Sequence, residues 1–136
     1  MARHDTIRML FGLAARGWEI HQMDVQSAFL NGTLDEEIYV EQPLGFEKPG
    51  TEGKVLRLGK ALYGLKQAPR AWYSKLNSHL ISLGLSRSVN ETTLYVKREG
   101  IETLMVSVYV DDLLITGSCD RLVETFKLDM SSKYLR

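Results

Sequence analysis

A chain of 136 residues, 44% hydrophobic and 25% charged, suits one compact domain with a real core. A chain of this length buries roughly two-thirds of its unfolded surface. A formal net charge of zero excludes an overall basic footprint, no apolar run approaches the ~20 residues of a membrane span, and the Met-Ala-Arg-His-Asp start lacks the apolar segment of a signal peptide.

In chain order, Asp5 is placed to cap a helix carrying Ile7, Leu10, Phe11 and Ala14 at helical spacing, with Gly17 as its stop. Residues 18–25 read as a strand, which sets Asp24 at its C-terminal end. Residues 27–32 form a turn or a short helical piece, and Ile38, Tyr39 and Val40 a short strand. Two prolines and three glycines in residues 43–53 mark a loop, too short to separate domains. Val55, Leu56 and Leu58 give a brief extended segment. Pro69 suits the first position of a helix whose buried stripe is Trp72, Leu76, Leu80 and Leu83, ended by Gly84. His79 on that helix reads as a surface or core-edge residue, without a second histidine at metal-ligand spacing.

Residues 92–97 form a strand, Glu99 and Gly100 a turn, and residues 104–110 its partner. In that partner Leu104, Val106, Val108 and Val110 alternate with Met105, Ser107 and Tyr109, placing the first set on one face. After Asp111 and Asp112, Leu113, Leu114 and Ile115 make a further strand closed by Gly117, so the acidic pair sits at the tip of a hairpin. Cys119, the single cysteine, allows no internal disulfide and fits a reducing, intracellular compartment; beside a helix start it reads as a small filler. The last helix covers residues 119–130 with Leu122, Val123 and Phe126 inward. Helix, strand, helical piece, strands, helix, three-stranded meander and helix make an α+β pattern.

Asp is a common turn residue, but Asp111 and Asp112 are flanked by apolar residues rather than Gly or Asn. Two like charges ~4 Å apart at an effective dielectric of about 20 repel by roughly 4 kcal/mol. A hard divalent cation relieves that, and Asp24 at another strand end offers the third carboxylate. Three carboxylates on an open surface suit magnesium, and two ions in such a site support phosphoryl or nucleotidyl transfer. Charge is also uneven. Residues 35–52 hold six acids, including Asp35 and Glu36, and one base; residues 54–75 hold six bases (Lys54, Arg57, Lys60, Lys66, Arg70, Lys75) and no acid. With Tyr63, Trp72 and Tyr73 among them, those bases read equally as a groove for a nucleic-acid backbone or as a solvated helix face. Trp72 itself reads as core.

With these residues in view, a family resemblance is close. Tyr109-Val110-Asp111-Asp112 resembles the catalytic tetrapeptide of reverse transcriptases, and residues 22–32 (QMDVQSAFLNG) the first catalytic motif of their Ty1/copia retrotransposon branch. Residues 60–72 (KALYGLKQAPRAW) are similar to that branch's second motif, and residues 41–47 (EQPLGFE) to a further copia signature. Together they span nearly the whole chain in family order.

The resemblance implies a polymerase palm, a mixed or antiparallel sheet backed by helices in a truncated reverse transcriptase fold. Residues 1–136 would be a single domain fragment with part of the fingers and without thumb or RNase H. It implies RNA-directed DNA polymerase activity with Mg2+, or Mn2+ in its place, on an RNA or DNA template with a primer and a deoxynucleoside triphosphate. No membrane partner is expected, and other Pol polyprotein segments are candidate neighbours. By the same resemblance Asp24, Asp111 and Asp112 are the catalytic, metal-binding triad, with the Val25 carbonyl as a further ligand. Phe29 lies beneath the incoming sugar, although a core role suits it equally; Gln67 contacts the nucleotide. Tyr109 and Val110 lie near the primer end, and Lys66 and Arg70 border the same groove. The upstream lysine and arginine that hold the triphosphate in this family have no counterpart in the first twenty residues. That favours, as the rival reading, an inactive retroelement remnant that binds nucleic acid or protein weakly. Another palm-type nucleotidyl transferase or cyclase also needs two aspartates, but residues 60–72 argue against it.

Overall fold

The structure, a computed structural model, describes residues 4–25, 28–32, 34, 37–62 and 65–134. Ser27, Asp35, Glu36 and Tyr63, which figure in the expectations above, lie outside the described residues. The elements are α1 (His4–Ala15), β1 (Ile20–Asp24), a short 3-10 helix (Ala28–Asn31), β2 (Tyr39–Glu41), β3 (Val55–Arg57), α2 (Ala68–Ser82), β4 (Ser86–Arg87), β5 (Leu94–Glu99), β6 (Glu102–Tyr109), β7 (Asp112–Gly117) and α3 (Asp120–Tyr134). The chain divides into two compact units, Met1–Ala28 with Leu76–Arg136, and Phe29–Lys75.

The first unit is built on a five-stranded sheet in the order β1-β7-β6-β5-β4, and every pairing is antiparallel. The fold is thus α+β, with an antiparallel sheet packed against helices. Period-two alternation gives the sheet one apolar face: Met23, Tyr95, Leu104, Val106, Val108, Leu113 and Ile115 are buried along it. The stripe of α3, with Leu122, Val123, Phe126, Met130 and Tyr134 at helical spacing, is buried as well. Each such side chain contributes about 1.5–3 kcal/mol by leaving water. The helix runs a full turn beyond its expected end, because Met130 and Tyr134 continue the stripe.

Two glycines end helices by the same device. At Gly17 (φ 100°) the Gly17 amide donates to the Ala14 carbonyl and the Trp18 amide to Leu13; at Gly84 (φ 91°) the Gly84 amide donates to Ile81 and Leu85 to Leu80. Both are Schellman closures, which need a left-handed residue and so favour glycine. Pro69 falls on the second residue of α2, still within the first turn, where a missing N–H leaves no bond unmade.

Three expectations are corrected. Asp5 lies inside the first turn of α1 rather than capping it, and Phe11 is 58% exposed while Thr6 is buried. The reason is polar: the Thr6 hydroxyl donates to Glu91 Oε2 at 3.0 Å, and Glu91 Oε1 accepts from the amide and hydroxyl of Thr93. A buried carboxylate needs such donors, and this one turns α1 toward Thr6 and Leu10. Val110 does not continue the apolar face of β6 but leaves the strand. Of the two places expected for His79, surface or core edge, the structure has the core edge, with the ring buried. It lies 2.7 Å from Asp129 Oδ2 through Nε2 and 3.0 Å from Lys133 Nζ through Nδ1, so an α2 residue ties to two α3 residues. Lysine only donates, which makes Nδ1 the acceptor and Nε2–H the donor.

The second unit holds the β2–β3 ribbon and the loop between its strands. Gln42 organises that loop. Its amide nitrogen donates to the Thr51 and Lys54 carbonyls at 3.1 Å each, and its oxygen accepts from the Lys48 amide at 3.1 Å. The Glu47 and Glu52 carboxylates accept from the amides of Gly45 and Gly50, and the Glu52 carboxyl is held below its ordinary range by its own backbone amide and then by that of Gly50. Gly32 sits so close to α2 that an added Cβ would lie 2.8 Å from the Trp72 nitrogen.

Candidate metal centre

Asp24 is the last residue of β1, and the register sets it directly opposite Asp112, the first residue of β7. Asp111 is tied to the same spot by the backbone, where its carbonyl accepts from the Val25 amide at 2.8 Å. Two local rules put the acids here. Alternation along β1 buries Met23 and turns Gln22 and Asp24 outward; alternation along β7 buries Leu113 and Ile115 and turns Asp112 to the open face. One carboxylate oxygen from each of Asp24, Asp111 and Asp112 lies within 4.8 Å of the others.

Tyr109 pairs with Asp112, so Val110 and Asp111 form a two-residue hairpin loop. Val110 has φ 53° and, among the described residues, is the non-glycine with positive φ. Hairpins with positive φ at the first loop residue ordinarily place glycine there, and a β-branched side chain in that region is strained. Val110 is 47% exposed and Tyr109 45%, so both are open to solvent beside the acids.

The donor set fits a hard divalent cation: three carboxylates, one exposed and two half-buried, without sulfur or imidazole. Val25 is buried, and its amide is already engaged with Asp111. Gln22 reaches Asp112 Oδ1 with its amide nitrogen at 3.5 Å. Gln22 belongs to the residue 22–32 motif, and its place two residues before Asp24 on one strand face is the sequence signal for this contact. The strain at Val110 has no such signal, since a two-residue loop becomes visible only once the β6–β7 register is known.

The remaining candidates belong to the second unit. Phe29 is buried, Gln67 half-buried, and Lys66 and Arg70 are exposed. Arg57, one of the six bases, is occupied by Glu37 at 3.1 Å. Among the described residues no helix is long and apolar enough to cross a membrane.

A family profile described as reverse transcriptase (RNA-dependent DNA polymerase) matches residues 1–135. The chain is 46% identical over 129 residues to the retrovirus-related Pol polyprotein from transposon RE2 of Arabidopsis thaliana, covering 94% of this chain and 9% of that protein. It is 43% identical over 131 residues to the Pol polyprotein from transposon TNT 1-94 of Nicotiana tabacum, covering 95% and 10%. Against the putative transposon Ty5-1 protein of Saccharomyces cerevisiae the figures are 38% over 112 residues, 82% and 36%. The chain thus spans about a tenth of the length of the plant polyproteins it matches. No solved structure matches it at a significant level.

Proposed function

The chain belongs to the reverse transcriptase (RNA-dependent DNA polymerase) family, in its copia-type branch, and on that premise we propose that it is a palm with part of the fingers of a transposon polymerase. The reaction is attack of a primer 3′-hydroxyl on the α-phosphate of a deoxynucleoside triphosphate, directed by an RNA or DNA template, with pyrophosphate leaving. The observation that carries this reading is the convergence of Asp24, Asp111 and Asp112 at one end of the β1–β7 pair. The three side chains, with the Val25 carbonyl, would hold Mg2+, for which Mn2+ is a chemical substitute. Two such ions when bound supply charge stabilisation for the attacking and leaving oxygens.

The chain's own residues do the positioning. Asp24 and Asp112 come from paired strands, so their separation is fixed by the sheet and not by a loop. Tyr109 and Val110, exposed beside them, would meet the end of the primer. Phe29 would lie under the incoming sugar and exclude a 2′-hydroxyl, favouring deoxynucleotides. Gln67 would hydrogen-bond the nucleotide, and Lys66 and Arg70 would attract backbone phosphates, a contact weakened by salt.

Primer extension on an RNA template with Mg2+ tests the reading. The wild-type chain is expected to extend the primer and Asp111→Asn to lose extension. Extension that survives Asp111→Asn, or that proceeds in excess chelator, contradicts it.

A further inference from the structure

Resting on the metal-site reading above, we propose that Gln22 is a positioning residue for Asp112, holding one carboxylate oxygen so that the other stays turned toward the cation. The β1–β7 register pairs Gln22 with Leu114 and Asp24 with Asp112, so Gln22 and Asp112 are diagonal neighbours on one sheet face. The amide bridges that diagonal, with Nε2 donating to Asp112 Oδ1 at 3.5 Å, the long end of hydrogen-bond distance. Leu114, directly opposite Gln22, offers no polar group to compete for it.

The chemistry explains why an amide suits this place. Asp24 and Asp112 stand opposite each other with like charge, an arrangement that strands disfavour. A lysine or arginine at position 22 would relieve the repulsion but would also contest the site with a divalent ion. A glutamine amide donates a hydrogen bond without adding charge, so the three carboxylates keep their full attraction for a cation. Its backbone is held in β1, with buried Met23 fixing which way the alternation runs. Neighbours that orient metal-binding groups in this manner typically govern affinity by about tenfold or more.

The test is Mn2+ binding followed by electron paramagnetic resonance, with thermal melting measured on the same samples. Gln22→Met keeps length and removes the donor. It is expected to weaken Mn2+ binding about tenfold and leave the melting temperature of the metal-free protein unchanged. Gln22→Thr, which suits a strand but lacks the reach, should show the same loss and replaces Gln22→Met if that variant folds poorly. Unchanged Mn2+ affinity overturns the inference, as does a loss accompanied by an equal loss of metal-free stability in both variants. If the wild-type chain binds Mn2+ no better than Asp24→Ala, the metal-site reading itself falls, and this inference with it.

Discussion

Asp24 faces Asp112 across the β1–β7 register, last residue of one strand against first residue of the other. Strand pairs exclude such a like-charge match where nothing offsets it, at a cost of a few tenths to about 1 kcal/mol. If the pair is kept for a cation and not for the fold, neutralising it should stabilise the metal-free chain. Asp112→Asn is therefore expected to raise stability by about 0.5 kcal/mol in urea melts without metal. A loss of stability would mean that the carboxylate has a structural task.

The loop beside this pair stores strain. Val110 holds φ 53° as the first of two hairpin residues. Left-handed backbone costs an L-residue roughly 1–2 kcal/mol, of which glycine's added unfolded-state entropy returns part. Val110→Gly should stabilise the first unit by about 0.5–1 kcal/mol in a urea melt. Destabilisation would show that the valine side chain makes up its own strain.

How much of this was legible in the sequence depends on how local the cause is. Gly17 and Gly84 announced their helix ends because a Schellman closure is written in neighbouring residues. Asp24 could be placed at a strand end from the alternation around Met23. Nothing local said that β1 pairs with β7, since those strands lie far apart in the chain, so the convergence of the acids was an inference from chemistry and resemblance. Thr6 over Phe11 was illegible for the same reason: Glu91, which draws Thr6 inward, is 85 residues away. Ser86 and Arg87 form a polar two-residue strand, too short for any period to show.

Two glycines should respond in opposite directions. Gly12 lies inside α1 with nothing within 4 Å of an added Cβ, so Gly12→Ala should stabilise by about 0.5–1 kcal/mol through helix propensity. Gly32 would place its Cβ 2.8 Å from the Trp72 backbone nitrogen, and Gly32→Ala should destabilise by about 1–3 kcal/mol. Equilibrium denaturation of both variants checks the pair, and equal signs would contradict the packing at Gly32.

The tie between α2 and α3 should be visible as stability. His79 is buried with ring nitrogens toward Asp129 and Lys133. His79→Ala removes a packed ring and its two hydrogen bonds, while Asp129 and Lys133 stay open to water, an expected loss of about 1–2 kcal/mol at neutral pH. A loss under 0.5 kcal/mol would show that the tie contributes little.

Alkaline pH should weaken the end of α3. Burial, and then the charge of Asp129, push the Tyr134 hydroxyl above its ordinary pKa of 10.0. The unfolded chain therefore gives up this proton first as pH rises. The contribution is fully present below pH 10 and is lost as pH climbs from there toward the raised folded value. Melting temperature followed from pH 9 to 11 should fall more steeply in the wild type than in Tyr134→Phe. Identical slopes would contradict the shift.

Whether Asp24, Asp111 and Asp112 form one cation site is decided by Mn2+ titration, followed by calorimetry. Saturable Mn2+ binding by the wild-type chain is expected, with Mg2+ competing. Asp24→Ala, although it lies far in sequence from the acidic pair, should weaken that binding by at least about tenfold. Mn2+ binding that is unchanged by Asp24→Ala would mean that the three acids do not share a cation.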